Sequence, residues 1–194
     1  MHRGHVAFAL EAIEQCGLDK VFFLVEPRPR RKQGVKALEH RAEMVRLAIR
    51  QVPSLGSILL QQQRFTVVHT LPVLQRRFKG AQLHMLMGDD WLVHFADWPH
   101  VEELLRDISF VIGIRQYSGA EVEARIQFIQ KARGLTMRYQ LFQPSGPEVS
   151  SSKVRRQVRA GEESEDLSPA VLDYIRAQGL YSTYSSAVGS SIKS

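Results

Sequence analysis

Two histidines and a glycine near the start of the chain form the pattern His2-x-Gly4-His5. Apolar residues recur behind them at helical spacing, which predicts a helix that begins at this motif and ends at Gly17. A helix N-terminus favours anions because it carries exposed backbone N–H groups and the positive end of the dipole. Imidazoles can donate hydrogen bonds to phosphate oxygens, and glycine allows a close approach to the backbone. The motif therefore predicts a phosphate site rather than a metal site, since no cysteine or acidic residue beside it offers further ligands.

Three consecutive serines and an arginine farther along the chain predict a second phosphate contact. Ser150, Ser151 and Ser152 offer hydroxyls and backbone N–H groups at the start of a basic helix, and Arg155 follows one turn inside it. A capped amphipathic helix without a ligand shows the same pattern and is the commoner case. Together with the first motif, however, the segment is a credible second contact for a polyphosphate.

Acidic and aromatic residues after an apolar run predict contacts to a sugar and to a ring. Gly88, Asp89 and Asp90 follow such a run, where carboxylates could hold ribose hydroxyls, although a turn with a helix cap would use the same residues. Trp98 could stack on an aromatic ring if it lies beside a cleft, although tryptophan is more often part of a core. Arg115 lies in a loop that follows the next predicted strand.

Apolar runs and helical periodicities alternate along the chain, which predicts an α/β fold with an open, mostly parallel sheet and helices on both faces. Ligands bind beyond the carboxyl ends of the strands in such sheets, and the loops at residues 28–32, 88–90 and 115 follow strand ends. The predicted strands cover residues 21–25, 57–60, 82–87, 109–114 and 136–142. The further predicted helices cover residues 38–52, 66–78, 91–106 (one or two short helices), 121–133, 151–160 and 169–178.

The composition is that of a globular protein, and its basic charge favours a small polyanionic ligand. The 194 residues suit one domain, and the net charge is +6. No stripe of basic residues interleaved with aromatics appears, so the charge favours a nucleotide over a nucleic acid. No apolar run is long enough for a membrane span, and no secretory signal is expected. Cys16 is the only cysteine, which suits a reducing, cytoplasmic compartment.

The order of these motifs resembles that of bacterial nicotinate mononucleotide adenylyltransferases, within the His-x-Gly-His nucleotidyltransferase superfamily. The resemblance covers residues 1–181 and implies a Rossmann-like nucleotidyltransferase domain there, while residues 182–194 are expected to be a disordered tail. Beyond the motifs above, the similar segments are Glu39-His40-Arg41-Ala42-Glu43-Met44, Phe65-Thr66-Val67-Val68-His69-Thr70-Leu71, and Pro169-Ala170-Val171-Leu172-Asp173-Tyr174-Ile175 with Gly179-Leu180-Tyr181.

The resemblance implies a reaction and a set of residues that carry it. The 5′-phosphate of nicotinate mononucleotide would attack the α-phosphorus of ATP, with Mg²⁺ shielding the triphosphate, to give deamido-NAD and pyrophosphate. It thus implies a cytoplasmic enzyme of NAD biosynthesis that could be a homo-oligomer. Catalytic roles would fall to His2, His5 and Arg155. Contacts to ATP would fall to Gly4, Lys32, Gly88, Asp90, Ser151 and Ser152. Contacts to the acceptor would fall to Thr66, Trp98 and Arg115, and no metal site of the protein itself is implied.

The start of the chain departs from the family pattern. Only Met1 precedes His2, where the family has a β-strand and a Gly-Gly-x-Phe-Asp-Pro segment. That strand lies in the middle of the family's sheet, so we expect an unpaired gap in the sheet, lost apolar burial, and a true start upstream of the one given or a chain that is a fragment. The alternative functions are a sister enzyme such as pantetheine-phosphate adenylyltransferase or a cytidylyltransferase, an inactive nucleotide-binding module, and a basic RNA-binding domain.

Overall fold

A computed structural model describes residues 1–29, 35–146 and 149–181. Lys32 and the predicted tail at residues 182–194 therefore lie outside the described residues. The helices are α1 (Arg3–Cys16), α2 (Leu38–Ile49), α3 (Val67–Arg77), α4 (Leu92–Phe95), α5 (Val101–Asp107), α6 (Gly119–Arg133), α7 (Ser151–Arg159) and α8 (Pro169–Ala177), with a 3₁₀ turn at Asp89–Trp91. The strands are β1 (Val21–Val25), β2 (Leu55–Leu59), β3 (His84–Gly88), β4 (Ser109–Gly113) and β5 (Tyr139–Phe142).

Local chemistry explains where the helices begin and end. Helix α1 ends as predicted at Gly17, whose left-handed backbone (φ 64°) lets its N–H bond the carbonyl of Ile13. Helix α6 begins two residues before the predicted start because Ser118 and Glu121 form a reciprocal capping box. These caps satisfy backbone groups that would otherwise lack partners at the helix ends.

Strand β5 is shorter than predicted. Its ladder with β4 starts only where Tyr139 lies opposite Phe110. Before that point the N–H of Met137 donates to Oε1 of Gln130, 2.9 Å away, instead of joining a strand. The side-chain alternation that predicted a strand from residue 136 therefore begins before the backbone pairing does.

All strand pairs are parallel, which confirms the predicted α/β class. The strands form two separate sheets, of order β1-β2 and β3-β4-β5. Within the described residues, β1 and β3 each therefore have one edge without a partner strand. Every residue of β4 is buried, whereas the three central residues of β1 are only half-buried. The expected gap in the sheet is seen as two separate sheets.

Helix α1 packs against both sheets. Its buried Ala9 packs in a cluster with Val21 of β1, and its buried Ala12 packs with Val111 of β4. Alanine at both positions lets the helix backbone approach each sheet closely. Because α1 packs on both sheets, its N-terminus and the histidines there have a fixed position relative to the strands. No helix in the described part of the chain is both long and apolar enough to cross a membrane.

Candidate active site

The two predicted phosphate contacts meet in space. His2, at the N-cap of α1, is 8% exposed, and its Nε2 lies 3.1 Å from the hydroxyl of Ser151 in the first turn of α7. The His5 ring lies beside that of His2, with 3.7 Å between their centroids. Gly4 is buried in the first turn of α1. Two helix N-termini that are 149 residues apart in sequence thus form one place suited to an anion.

Packing of the C-terminal helices holds this junction together. The N–H of Arg3 donates to the carbonyl of Asp166, 2.7 Å away, so the connection between α7 and α8 is fixed to the start of α1. One turn further along α7, Val154 is buried with Met44 of α2 and Val171 of α8. The three helices therefore keep Ser151 within reach of His2.

Several basic side chains surround Tyr181 next to this junction. Arg155 donates from Nη2 to the hydroxyl of Ser152 over 3.1 Å. Burial raises the pKa of the Tyr181 hydroxyl, and the charges of Arg155, Arg41 and Arg159 act in the opposite direction. The positive charge that these arginines concentrate here would attract a polyphosphate.

Arg41 was not predicted as a site residue, yet it organises the loop after β1. Its guanidinium donates to three backbone carbonyls, those of Glu26 (2.8 Å), Pro27 (2.8 Å) and Lys36 (3.0 Å). Burial lowers the pKa of Arg41. The three carbonyls lie on both sides of residues 30–34, which include Lys32 and lie outside the described residues. Arg41 thus fixes both ends of the segment that carries Lys32.

The turn after β3 has two different acidic residues. An added Cβ at Gly88 would lie only 2.5 Å from Oδ1 of Asp90, so the glycine makes room for that exposed carboxylate. Asp89 is fully buried instead, and its Oδ2 accepts the backbone N–H groups of residues 115–117. Sequence reasoning selected Gly88 and Asp90 and missed the role of Asp89.

Thr66 is positioned by the end of β1 and by its own helix. It is the N-cap residue of α3, and its N–H donates to the hydroxyl of Thr70 over 3.1 Å. The preceding N–H, of Phe65, donates to the carboxylate of Glu26 over 2.8 Å. The Thr66 hydroxyl is buried and has no hydrogen-bond partner among the described residues. A buried hydroxyl without a partner is costly, and a bound ligand could satisfy it.

Trp98 and Arg115 occupy different surroundings. Trp98 is half-buried against the main core, the cluster of buried residues that includes Phe95, Phe110 and Ile112. Its ring centroid lies 5.2 Å from that of Phe95 and 5.6 Å from that of the exposed Trp91, which is edge-on to it. The Arg115 guanidinium lies 5.1 Å from the ring centroid of Phe8 on α1. The three predicted acceptor residues thus lie on different elements, with Thr66 at the start of α3, Trp98 against the core and Arg115 beside α1.

No group of three or more histidine, cysteine or acidic side chains in residues 1–29, 35–146 and 149–181 is arranged to hold a metal ion.

Comparison with known proteins identifies the family. Residues 1–157 match the cytidylyltransferase-like family. A probable nicotinate-nucleotide adenylyltransferase of Gloeobacter violaceus is 33% identical, with 93% of this chain and 90% of the relative covered. The nicotinate-nucleotide adenylyltransferase of Bacillus subtilis is 30% identical, with 93% of this chain and 92% of the relative covered.

A solved structure shows the same fold at low sequence identity. It is the Plasmodium falciparum nicotinic acid mononucleotide adenylyltransferase complexed with NaAD, with a TM-score of 0.72, 15% identity, and coverage of 93% of this chain and 91% of that one. The shared fold and the two bacterial relatives agree. The chain therefore belongs to the cytidylyltransferase-like family and, within it, to the nicotinate-nucleotide adenylyltransferases.

Proposed function

We propose that this chain transfers the adenylyl group of ATP to nicotinate mononucleotide and releases deamido-NAD and pyrophosphate. The observation that carries the proposal is the 3.1 Å contact of His2 with Ser151, which joins two helix N-termini suited to an anion. The relatives named nicotinate-nucleotide adenylyltransferase, which match over 93% of the chain, support the same reaction.

The reaction needs positioning and charge stabilisation from the protein. An oxygen of the acceptor's 5′-phosphate forms a bond to the α-phosphorus of ATP, while the bond from that phosphorus to the oxygen bridging to the β-phosphorus breaks. The electron pair leaves with pyrophosphate, so negative charge grows on the leaving group. His2 and His5 would stabilise the charge at the transferring phosphorus, and the buried Gly4 would let the phosphates approach the helix.

The second helix would bind the leaving phosphates. The hydroxyls and backbone N–H groups of Ser151 and Ser152 would contact the β- and γ-phosphates together with Arg155. ATP would enter as its Mg²⁺ complex, since a divalent cation shields the repulsion between its phosphates. Lys32 would reach the same phosphates from the loop whose ends Arg41 holds.

The sugar and the acceptor would bind beyond β3 and β4. Gly88 and Asp90 would contact a ribose of the nucleotide. The buried hydroxyl of Thr66 would donate to the nicotinate carboxylate, Trp98 would stack on the pyridine ring, and Arg115 would line the same cleft. A hydrogen bond from the Thr66 hydroxyl is stronger to the charged carboxylate of the acid than to the neutral amide, so we expect the enzyme to prefer the acid.

The test is product formation by the purified full chain with Mg-ATP. Pyrophosphate release and chromatography of the dinucleotide should show turnover with nicotinate mononucleotide and slower turnover with its amide. Ser152→Ala should raise KM for ATP, while Ser57→Ala, an exposed serine on β2, should not. Faster turnover with phosphopantetheine would indicate a sister enzyme. Binding of ATP without turnover of any acceptor would indicate an inactive nucleotide-binding module.

A further inference from the structure

Asp89 is the one fully buried carboxylate in the described part of the chain. Its Oδ2 accepts three successive backbone N–H groups, from Arg115 (2.9 Å), Gln116 (2.9 Å) and Tyr117 (3.0 Å). Its Oδ1 is buried and has no hydrogen-bond partner in residues 1–29, 35–146 and 149–181. A buried charge is costly unless it is hydrogen-bonded, so this arrangement has to provide strong contacts on the Oδ2 side.

The three N–H groups need an acceptor because the chain leaves the sheet at this point. The last link of this part of the ladder runs from the N–H of Ile114 to the carbonyl of Phe142, 3.0 Å away. Successive N–H groups that point to one side form a concave site for an anion. Here the protein's own carboxylate fills that site, so the turn at residues 115–117 does not need a ligand in order to be fixed.

The contact joins the ends of two neighbouring strands. Gly88 of β3 lies opposite Gly113 of β4 in the parallel ladder. Asp89 follows the first glycine directly, and Arg115 comes two residues after the second. The turn after β3 and the turn after β4 are thereby fastened to each other at the edge where ligands bind in such sheets.

Two side chains of the turn at residues 115–117 pack against neighbouring helices. The Arg115 guanidinium lies 5.1 Å from the ring centroid of Phe8 on α1. The Tyr117 ring is stacked against the Arg125 guanidinium of α6, 4.1 Å from its centroid, and packs on the main core. Without Asp89 the three N–H groups would have to find water, and Arg115 would lose the backbone support that places it beside α1.

We propose that Asp89 is a positioning residue that holds the turn at residues 115–117 against the turn at residues 88–90, so that the acceptor and sugar contacts form one rigid edge. The statement that Arg115 serves the acceptor rests on the proposed function, whereas the anchoring of the turn does not. It does not make Asp89 a ligand of either substrate.

Hydrogen exchange of the intact protein tests the anchoring without any need for activity. Asp89→Ala should speed exchange of the amides at residues 115–117 by about tenfold or more, because these amides lose their charge-assisted hydrogen bonds. Asp89→Asn keeps an acceptor oxygen but loses the charge, and should give an intermediate rate. Asp107→Asn, an exposed carboxylate that accepts from Gln75, is the matched control and should leave these amides unchanged. Unchanged exchange at residues 115–117 in Asp89→Ala would overturn the proposal, as would faster exchange spread evenly over the protein.

Steady-state kinetics separates positioning from a merely structural role. Asp89→Ala should raise KM for nicotinate mononucleotide by about tenfold, and it should also raise KM for ATP, because Gly88 and Asp90 flank Asp89 in the chain. The Asp89→Asn variant should fall between Asp89→Ala and the native chain. A merely structural role would lower the active fraction and hence kcat, and would leave both KM values unchanged. That result would overturn the functional half of the proposal. If the native chain turns over no acceptor, the proposed function fails, and the exchange experiment still decides whether Asp89 anchors the turn.

Discussion

The packing of α1 on the carboxyl end of β4 can be tested at Gly113. A Cβ added there would lie 2.3 Å from Cε2 and 2.7 Å from Cζ of Phe8, and 3.0 Å from Cζ of Phe142. The Phe8 ring cannot easily move away, because the Phe142 ring lies 5.0 Å from it on one side and the Arg115 guanidinium lies 5.1 Å from it. Gly113→Ala should therefore push α1, and with it the histidines at its N-terminus, away from β4.

The expected magnitude follows from two opposing effects. Overpacking of a filled contact costs about 1–3 kcal/mol, while loss of glycine's freedom in the unfolded chain returns about 0.4–1 kcal/mol. We expect Gly113→Ala to lower the free energy of unfolding by about 1–2 kcal/mol. For a chain of this size that corresponds to a fall in Tm of about 2–8 °C.

Thermal and urea unfolding measure the effect, with a matched glycine as control. At Gly119 an added Cβ would meet only Cδ1 of Ile114, at an ordinary 3.9 Å, so Gly119→Ala should leave stability unchanged or raise it. Phe8→Leu in the Gly113→Ala background should recover stability relative to the sum of the two single changes, by about 1 kcal/mol. Equal Tm values for the two alanine variants, or additive effects with Phe8→Leu, would refute the packing argument.

Two further changes probe the turn at residues 88–90 and the pH dependence of stability. Gly88→Ala should raise KM for ATP, because the new Cβ would lie 2.5 Å from the Asp90 carboxylate and displace it. The free energy of unfolding should change by less than about 1 kcal/mol, because that exposed carboxylate can move aside. A loss of stability as large as that of Gly113→Ala would contradict this. Burial lowers the pKa of His84 from its ordinary 6.5, so the unfolded chain binds its proton more readily and stability is lost as pH falls below about 6.5. In urea titrations between about pH 7 and pH 5, His84→Gln should flatten this loss and His94→Gln, on the exposed face of α4, should not; equal slopes in both variants would refute the assignment.

Much of the fold follows from short-range pattern. Continuous apolar runs predicted β1, β3 and β4, and left-handed glycines ended α1 at Gly17 and α6 at Gly134. The sequence motifs placed His2 and Ser151 each at a predicted helix start, and the structure brings these two helix starts within 3.1 Å of each other. The break between the two sheets was expected from the family resemblance and is seen as separate pairings of β1 and β3.

The parts that escaped prediction depend on backbone atoms far away in sequence. Asp89 finds its three donors 26–28 residues downstream, and backbone N–H groups leave no mark in the sequence. Arg41 likewise binds carbonyls, whose residue types are irrelevant to the contact. Trp98 shows a different difficulty, because a half-buried tryptophan satisfies both the core interpretation and the ring-stacking one.

The most direct test of the account is a double-mutant cycle on His2 and Ser151. The central claim is that their two helix N-termini, joined by the 3.1 Å contact, bind one triphosphate. We predict that His2→Ala and Ser151→Ala each lower kcat/KM for ATP by about tenfold or more, and that the double variant loses less than the product, with a coupling energy of about 0.5–3 kcal/mol. Independent, multiplicative losses, or kcat/KM values within about twofold of the native chain, would contradict a single shared phosphate site.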